Sequence, residues 1–183
     1  MQKRLPTTVD LNPGQAKGAI ESLLFVADEP LALKQIVQVL EIKEEEAKTL
    51  LDELRMDYEN GNRGIQLREV ANGYQISTRP EFTPWIQKLK GLPQRIKFSR
   101  SALEVLSIIA YQQPVTRAEI ESIRGIGGAG PLIKNLLKTN LIQIAGRSEA
   151  PGRPVMYKTT QAFLKHFGLT DLSQLPKRVD SRQ

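Results

Sequence analysis

The chain contains an internal repeat. The stretch from Ala19 to Ile42, AIESLLFVADEPLALKQIVQVLEI, resembles the stretch from Ala102 to Ile126, ALEVLSIIAYQQPVTRAEIESIRGI, when one extra residue is allowed before the proline. Seven positions are then identical: Ala19 with Ala102, Glu21 with Glu104, Leu23 with Leu106, Ala27 with Ala110, Pro30 with Pro114, Ile36 with Ile120, and Ile42 with Ile126. Each copy of a repeat must bury its own apolar face, so the repeat predicts two similar folding units. Two unrelated amphipathic helix pairs that align by chance are the alternative.

Composition agrees with two small domains that benefit from association. The chain has 183 residues and is 40% hydrophobic, which suits one ordinary domain or two small ones. Units of about 80 residues are only marginally stable alone, so we expect packing against a partner or a second copy.

The positive charge of the chain is confined to its second half. The formal net charge is +6, yet residues 1–98 carry 14 Lys and Arg against 14 Asp and Glu, whereas residues 99–183 carry 12 against 6. An excess of this size is enough for a basic patch, and it is also what an ordinary solvated surface can carry.

Several classes of site are excluded by residue type. The chain has no cysteine, which rules out disulfides, thiol nucleophiles and cysteine-ligated zinc. No apolar leader or membrane-spanning stretch is seen, so we expect a cytoplasmic protein without membrane contact.

The first copy has the element order of a winged helix, three helices followed by a β-hairpin. Asn12 predicts an N-cap, with Pro13 at the first helical position and Gln15 completing a capping box. The predicted elements are a helix from Pro13 to about Ala27, a helix over Leu33–Leu40, a helix from about Glu44 to Glu59, and the strands GIQLREV and YQIST joined by Ala71, Asn72 and Gly73. The predicted core residues of the first helix are Ile20, Leu23, Leu24 and Ala27.

The second copy repeats this order. Ser99 caps its first helix, with Leu103, Leu106, Ile109 and Ala110 at core spacing. Thr116 and Glu119 form a capping box for the second helix. Residues 131–138 supply the third helix, and LIQIA and PVMYKTT form a hairpin around the loop GRSEAPGR.

The predicted fold is therefore mainly α with small β-hairpins (α+β), built as two tandem winged-helix domains related by internal duplication. The expected organisation is a flexible N-terminus over 1–11, an N-terminal winged-helix domain over 12–80, a linker with a short helix over 81–98, a C-terminal winged-helix domain over 99–176, and a disordered tail over 177–183. Trp85 in the linker helix is expected to pack half-buried against a domain, with a binding role as the alternative.

Little in the sequence points to catalysis. His166 precedes Gly168 at a predicted helix end, where a cation suits the dipole, and no second histidine or cysteine can support it. An enzyme would have to use His166 with Glu119 and Glu121. The glycines Gly125, Gly127, Gly128 and Gly130 predict a tight turn rather than a phosphate cradle, because a preceding strand and the GK[ST] ending are missing. We expect no catalytic residues, no cofactor, no metal and no small-molecule substrate.

The third helices differ in their suitability for DNA. Residues 43–60 hold three basic and seven acidic side chains, which phosphates would repel. The second copy offers Lys134, Asn135 and Lys138 there, without arginine or glutamine for base readout. The residues available for non-specific phosphate contact are Arg117, Arg124, Lys134, Lys138, Arg147 and Arg153, the last four forming the predicted phosphate-binding set. A winged-helix DNA-binding transcription regulator is the alternative function.

The sequence resembles one bacterial family over about residues 15–176. SIIAYQQPVTRAEIESIRGI, the later LIQIAGRSEAPGRPVMYKTTQAFLKHFGL with DLSQLP, and the segment GAIESLLFVADEPLALKQIVQVL are similar to the segregation and condensation protein B (ScpB) family. The chain departs from the family pattern at Lys158 and in the glycine-rich turn at 127–130.

The resemblance implies a role and a set of partners. It implies two winged-helix domains, homodimerisation chiefly through the N-terminal domain over 12–80, no enzymatic activity, and a role as accessory subunit of the SMC condensin. The implied partners are the kleisin ScpA and, through it, SMC, and the implied location is the cytoplasm at the nucleoid.

We predict that ScpA binds the C-terminal domain at Tyr111, Gln112, Arg117 and Arg124. A purely structural role for these four side chains is the alternative, because arginine stems pack on apolar surface and Glu119 or Glu121 can pair with them.

Overall fold

A computed structural model describes residues 12–90 and 98–176. The chain divides into two compact units, residues 1–92 and 93–183, called here the N-terminal and C-terminal units. The predicted flexible N-terminus, the predicted tail over 177–183 and residues 91–97 of the predicted linker lie outside the described residues.

The N-terminal unit has the predicted three helices and hairpin, followed by one more helical segment. Its elements are α1 (Pro13–Val26), α2 (Leu33–Leu40), α3 (Glu44–Asn60), β1 (Ile65–Val70), β2 (Gly73–Thr78), a 3-10 turn (Pro80–Phe82) and α4 (Thr83–Lys90). The Asn12 capping box is confirmed, since Asn12 Oδ1 accepts from Gln15 N at 2.9 Å and Asn12 N donates to Gln15 Oε1 at 3.1 Å.

The hairpin of this unit is fixed by a tight turn and a close backbone contact. Strands β1 and β2 are antiparallel, with Val70 opposite Gly73. Ala71 and Asn72 both have positive φ, which matches the right-handed twist of a two-residue hairpin loop. A Cβ on Gly73 would lie 2.9 Å from the backbone of Leu31, so only glycine lets the chain before α2 pair with β2.

The core of the N-terminal unit forms between α1, α2, α3 and β1. Its most buried members include Ile20, Ile36, Leu51 and Tyr58, each at most 2% exposed. The apolar positions of α3 at helical spacing face this core, because Ala47, Leu50, Leu51 and Leu54 are all buried. Of the core residues predicted for the first helix, Ile20 and Leu24 are buried, while Leu23 and Ala27, which follows α1, are partly exposed.

The C-terminal unit repeats the architecture. Its elements are α5 (Arg100–Gln112), β3 (Val115–Thr116), α6 (Arg117–Arg124), α7 (Ala129–Lys138), β4 (Ile142–Arg147), β5 (Val155–Thr159), α8 (Gln161–Phe167) and a 3-10 turn (Leu172–Gln174). The sheet order is β3-β5-β4, all antiparallel. Val115 pairs with Tyr157 as Leu31 pairs with Tyr74, so each unit ties the chain before its second helix to the same place in its hairpin. The α+β class and the two winged-helix units are confirmed.

The pairing of the two first helices by sequence identity is wrong by three residues. It places Ile20 opposite Leu103, yet Ile20 is fully buried and Leu103 is 41% exposed. Burial instead matches Ala16, Ile20 and Leu24 with Ala102, Leu106 and Ala110. Three residues are close to one helical turn of 3.6, so a slipped alignment still places apolar residue on apolar residue. From the prolines onward the pairing holds, with Ile36 and Ile120 both buried.

Three smaller expectations are corrected. Leu103 is not a core residue, because α5 turns that position outward. Helix α7 begins at Ala129 instead of residue 131, so Gly130 lies inside the helix. Trp85 is 64% exposed and contacts Phe82, with ring centroids 6.1 Å apart, so it is not half-buried against a domain.

Candidate partner-binding surface

A shallow groove lies on the C-terminal unit between the end of α5 and the side of α6. The capping box of Thr116 fixes the start of α6, since Thr116 N donates to Glu119 Oε2 at 2.7 Å and Thr116 Oγ1 accepts from Glu119 N at 3.3 Å. These bonds hold the pKa of Glu119 below its usual value, the backbone bond being the larger cause. A cavity of about 240 Å³ results, and it is lined by Gln112, Pro114, Val115, Glu119, Ser122 and Ile123.

One exposed isoleucine of α6 lines this groove, and a second lies just after the helix. Ile123 is 46% exposed, and Ile126, just after the helix, is 60% exposed. Gly125 between them ends α6 in the left-handed region with φ 71°. Sequence reasoning missed both side chains as candidates. The sequence feature that could have predicted them is a pair of large apolar residues on either side of Arg124 and Gly125, where a short helix ends.

Two of the predicted ScpA contacts lie at the end of α5. Gln112 is exposed and lines the groove. Tyr111 is 42% exposed, and its hydroxyl donates to the Pro176 carbonyl at 2.6 Å. Tyr111 therefore fastens the chain after α8 to the end of α5 while part of its ring stays accessible.

Arg117 is exposed and tied into a cap at the start of α7. Its Nε lies 2.9 Å from Glu121 Oε1, and the same carboxylate oxygen accepts from Ala129 N at 2.9 Å. The side-chain bond from Arg117 and the bond from Ala129 hold the pKa of Glu121 below its usual value. A Cβ on Gly130 would lie 3.1 Å from the guanidinium, so the guanidinium lies directly on that glycine. The carboxylate occupies the helix N-terminus where a phosphate would bind, which argues against a phosphate cradle.

Arg124 has an interior position. Its side chain is only 3% exposed, and its Nε lies 3.2 Å from Glu104 Oε2. This ion pair fastens the end of α6 to α5. The guanidinium is therefore not accessible to a partner, and Arg124 acts on the groove by holding its two walls together.

The four predicted phosphate-binding residues lie on other elements of the same unit. Lys134 and Lys138 are exposed one turn apart on α7. Arg147 ends β4 and Arg153 lies in the loop before β5, both exposed, and Arg147 Nη1 donates to the Arg153 carbonyl at 3.1 Å.

The residues that an enzyme would need are engaged in structural contacts. His166 lies in the last turn of α8, which Gly168 ends in the left-handed conformation, as predicted. Its ring contacts Phe98 and Phe167 edge-on. Glu119 and Glu121 cap helices, as described above. Within residues 12–90 and 98–176, no group of three His, Cys, Asp or Glu side chains is arranged to hold a metal ion.

The helices over the described ranges are too short or too polar to span a bilayer.

The N-terminal unit exposes apolar side chains at the end of α1. Phe25 is 82% and Val26 is 75% exposed. Sequence reasoning missed them, although the run LLFV over 23–26 carried a signal. Successive residues are 100° apart around a helix, so four consecutive apolar side chains cannot all face one core.

The third helix of this unit is acidic and internally paired. Lys48 Nζ lies 2.8 Å from Glu44 Oε1 within α3, and Lys17 of α1 reaches Asp57 at 2.9 Å. The other carboxylates of α3 lie on its outward face. Their negative charge would repel a phosphate backbone.

Comparison with known proteins identifies the family. Residues 18–178 match the family model described as segregation and condensation complex subunit ScpB. Segregation and condensation protein B of Desulforamulus reducens is 48% identical over 162 residues, 88% of each chain. The protein of the same name from Geobacillus kaustophilus is 47% identical over 165 residues, 90% of this chain and 76% of the relative.

Two solved structures are also similar. The crystal structure of ScpB from Mycobacterium tuberculosis is 32% identical, covering 88% of this chain and all of the other, with a TM-score of 0.44. A dimer of ScpB N-terminal domain complexed with ScpA peptide is 44% identical, covering 40% of this chain and 93% of the other, with a TM-score of 0.39. The family model and the near-half identity to full-length relatives show that this chain belongs to the ScpB family of segregation and condensation complex subunits.

Proposed function

We propose that this chain is a non-enzymatic accessory subunit of the SMC condensin that acts as a homodimer and binds the kleisin ScpA. It joins SMC through ScpA and serves chromosome condensation and segregation at the nucleoid, in the cytoplasm. Family membership supports the complex and the process. The engagement of Glu119, Glu121 and His166 in caps and ring contacts supports a role without catalysis.

The observation that carries the proposal is a pair of exposed large apolar side chains, close together in sequence, on each unit. In the N-terminal unit these are Phe25 and Val26, and in the C-terminal unit Ile123 and Ile126. Burying a side chain of this size stabilises an interface by about 1.5–3 kcal/mol, so exposed pairs of this kind favour partners.

Homodimerisation is assigned to the N-terminal unit. The last turn of α1 presents Phe25 and Val26 side by side in sequence, and a two-fold axis brings the same patch of both copies together. The acidic face of α3 disfavours like-charge contact, so the dimer uses the apolar end of α1 instead.

ScpA binding is assigned to the groove between α5 and α6. A groove with Ile123 on one wall and the Gln112 amide on the other fits an amphipathic helix or extended segment of the kleisin. In this assignment Gln112 and the exposed part of Tyr111 contact ScpA, Arg117 contributes from the rim, and Arg124 positions α6 against α5.

The dimer assignment is tested by the mass of the full chain in solution. We expect the unchanged chain to be dimeric and Phe25→Asp to be monomeric at the same concentration. Ile144→Asp is the matched control, because Ile144 is 59% exposed on β4 of the other unit. A monomeric unchanged chain, or a dimer that survives Phe25→Asp and Val26→Asp together, would contradict the assignment.

The kleisin assignment is tested by the affinity of the full chain for ScpA. We expect Ile123→Asp to weaken binding at least about tenfold, because Ile123 lines the groove and a charge would replace an apolar contact worth at least about 1.4 kcal/mol. Ile144→Asp should bind as the unchanged chain does. Circular dichroism checks that each variant is folded. Equal affinity of both variants would remove the groove from the ScpA interface.

A further inference from the structure

We propose that the C-terminal unit binds the phosphate backbone of duplex DNA through α7 and the β4–β5 loop. The inference goes beyond the proposed kleisin-binding role and uses a different surface. Its basis is a set of exposed cations that the unit does not neutralise, Lys134, Lys138, Arg147 and Arg153.

Six of the nine cations in residues 98–176 fall into two groups. Arg117 and Arg124 are paired with Glu121 and Glu104 and serve the contact of α6 with its neighbours. Among the described residues, no carboxylate lies within 4 Å of the side-chain nitrogens of Lys134 or Lys138. The same holds for Arg147 and Arg153. Cations without a partner inside the protein keep their full charge for an external anion.

Helix α7 has the position and composition for a DNA contact. It is the third helix of a winged helix, the element that related folds lay in the major groove. Lys134 and Lys138 are four residues apart and therefore share one face. The sequence of α7, AGPLIKNLLK, contains no acidic residue, and Glu121 at its N-terminus is already paired with Arg117.

The β4–β5 loop supplies the remaining charge. A register irregularity between Ile144 and Gly146 precedes Arg147 in β4. The bond from Arg147 to the Arg153 carbonyl closes the loop and keeps both residues at its base. Glu149 is the only acidic residue between them in the sequence. Such a loop suits phosphate oxygens flanking a groove, which positions a protein without reading sequence.

Duplex DNA fits this surface better than duplex RNA does. The major groove of B-DNA is wide enough for a helix, whereas that of A-form RNA is too deep and narrow for side chains. Asn135 is exposed beside the two lysines and is the only α7 side chain with an amide for adenine, so sequence preference is limited to about one base pair.

The test is a salt titration of the full chain with a short DNA duplex, followed by fluorescence anisotropy. We expect weak binding whose logarithm falls linearly with the logarithm of salt concentration. Each lost phosphate contact reduces the slope by about 0.9, so Lys134→Gln with Lys138→Gln should reduce it by about 1.8. Lys34→Gln with Lys88→Gln, exposed lysines of the other unit, is the matched control and should leave the slope unchanged.

Four results would overturn the proposal. They are no binding at low salt, an equal loss in the control variant, unchanged binding in the α7 variant, and equal or tighter binding to an RNA duplex of the same length. The affinity of the α7 variant for ScpA should match that of the unchanged chain. This measurement separates a failure of the DNA contact from a failure of the kleisin role.

Discussion

The two units share one fold and carry opposite surfaces on their third helices. Helix α3 has acidic residues in its first turn and along its length, whereas α7 has lysines and no carboxylate. Over the described ranges, residues 12–90 hold 10 Lys and Arg against 13 Asp and Glu, and residues 98–176 hold 9 against 5. Both helices nevertheless bury apolar faces against the first helix of their unit. Buried positions are constrained by packing, while exposed ones contribute little to stability and can diverge towards different partners.

A second contrast concerns how each unit ends its first helix. Ala27 follows α1, and Gln113 stands at the corresponding place after α5. The Gln113 Oε1 accepts from both the backbone N and the hydroxyl of Thr159, at 2.6 Å and 2.9 Å. The C-terminal unit thus ties its first helix to its sheet by a polar side chain that has no counterpart at Ala27.

The register of the first helices gives the largest expected effects. We expect Ile20→Ala and Leu106→Ala each to lower the free energy of unfolding by about 2–5 kcal/mol, because both residues are at most 2% exposed. Leu103→Ala, at the position that sequence identity pairs with Ile20, should change it by less than about 1 kcal/mol. Denaturant unfolding followed by circular dichroism measures all three. A large loss of unfolding free energy in Leu103→Ala would show that the pairing of the two helices by sequence identity is correct.

The units should also differ in their response to pH. Burial, and then its hydrogen bond to Glu21, raises the pKa of Tyr58 in the N-terminal unit to about 12. In the unfolded chain a tyrosine loses its proton near pH 10, so this unit should lose stability between about pH 10 and pH 12, by at most about 3 kcal/mol. Tyr58→Phe should reduce that slope in denaturant unfolding at several pH values, and the remainder belongs to Tyr74, whose pKa burial also raises.

The C-terminal unit should lose stability in acid through its helix caps. Hydrogen bonds from Thr116 lower the pKa of Glu119, and the Arg117 bond lowers that of Glu121. Their stabilisation is present above the usual carboxylate pKa near 4.5 and is lost as pH falls through the lower folded values. Unfolding of the full chain at several pH values measures this, and Glu119→Gln should flatten the acid limb. If the variant loses as much unfolding free energy at low pH as the unchanged chain does, other groups cause the acid sensitivity.

The smallest expected effect on stability concerns the residue that ends the second helix of each unit. Glu41 and Gly125 occupy the same left-handed position, with φ 55° and 71°. A side chain there costs about 1 kcal/mol relative to glycine. Gly125→Ala should therefore destabilise its unit by about 1 kcal/mol, since a Cβ there meets no neighbouring atom and only the backbone strain counts.

Glu41→Gly should stabilise the N-terminal unit by a similar amount. The shift in denaturation midpoint measures both changes. A shift of the same sign in the two variants would show that the turns are not equivalent.

Much of the fold could be predicted because local signals coincide with packing. Asn12 and Thr116 start helices by capping them, and alternating strands flank Ala71-Asn72, so these elements follow from neighbours in the chain. The site was harder. Gln112 lines the groove, but Arg124 is buried and paired with Glu104, twenty residues away. No local pattern distinguishes Arg124 from the exposed Arg117.

The sequence alone determined the element order, the repeat of a winged helix and the acidic character of α3, because these depend on residue type and short-range periodicity. Only the tertiary structure decided that Leu103 faces outward, which arginines are paired, and that Phe25, Ile123 and Ile126 remain exposed. Exposure and ion pairing depend on which elements pack together across long separations in the chain. A shift of three residues is close to one helical turn, so the apolar pattern of the sequence fits two registers of the first helix equally well. Packing in the core decides which register is used.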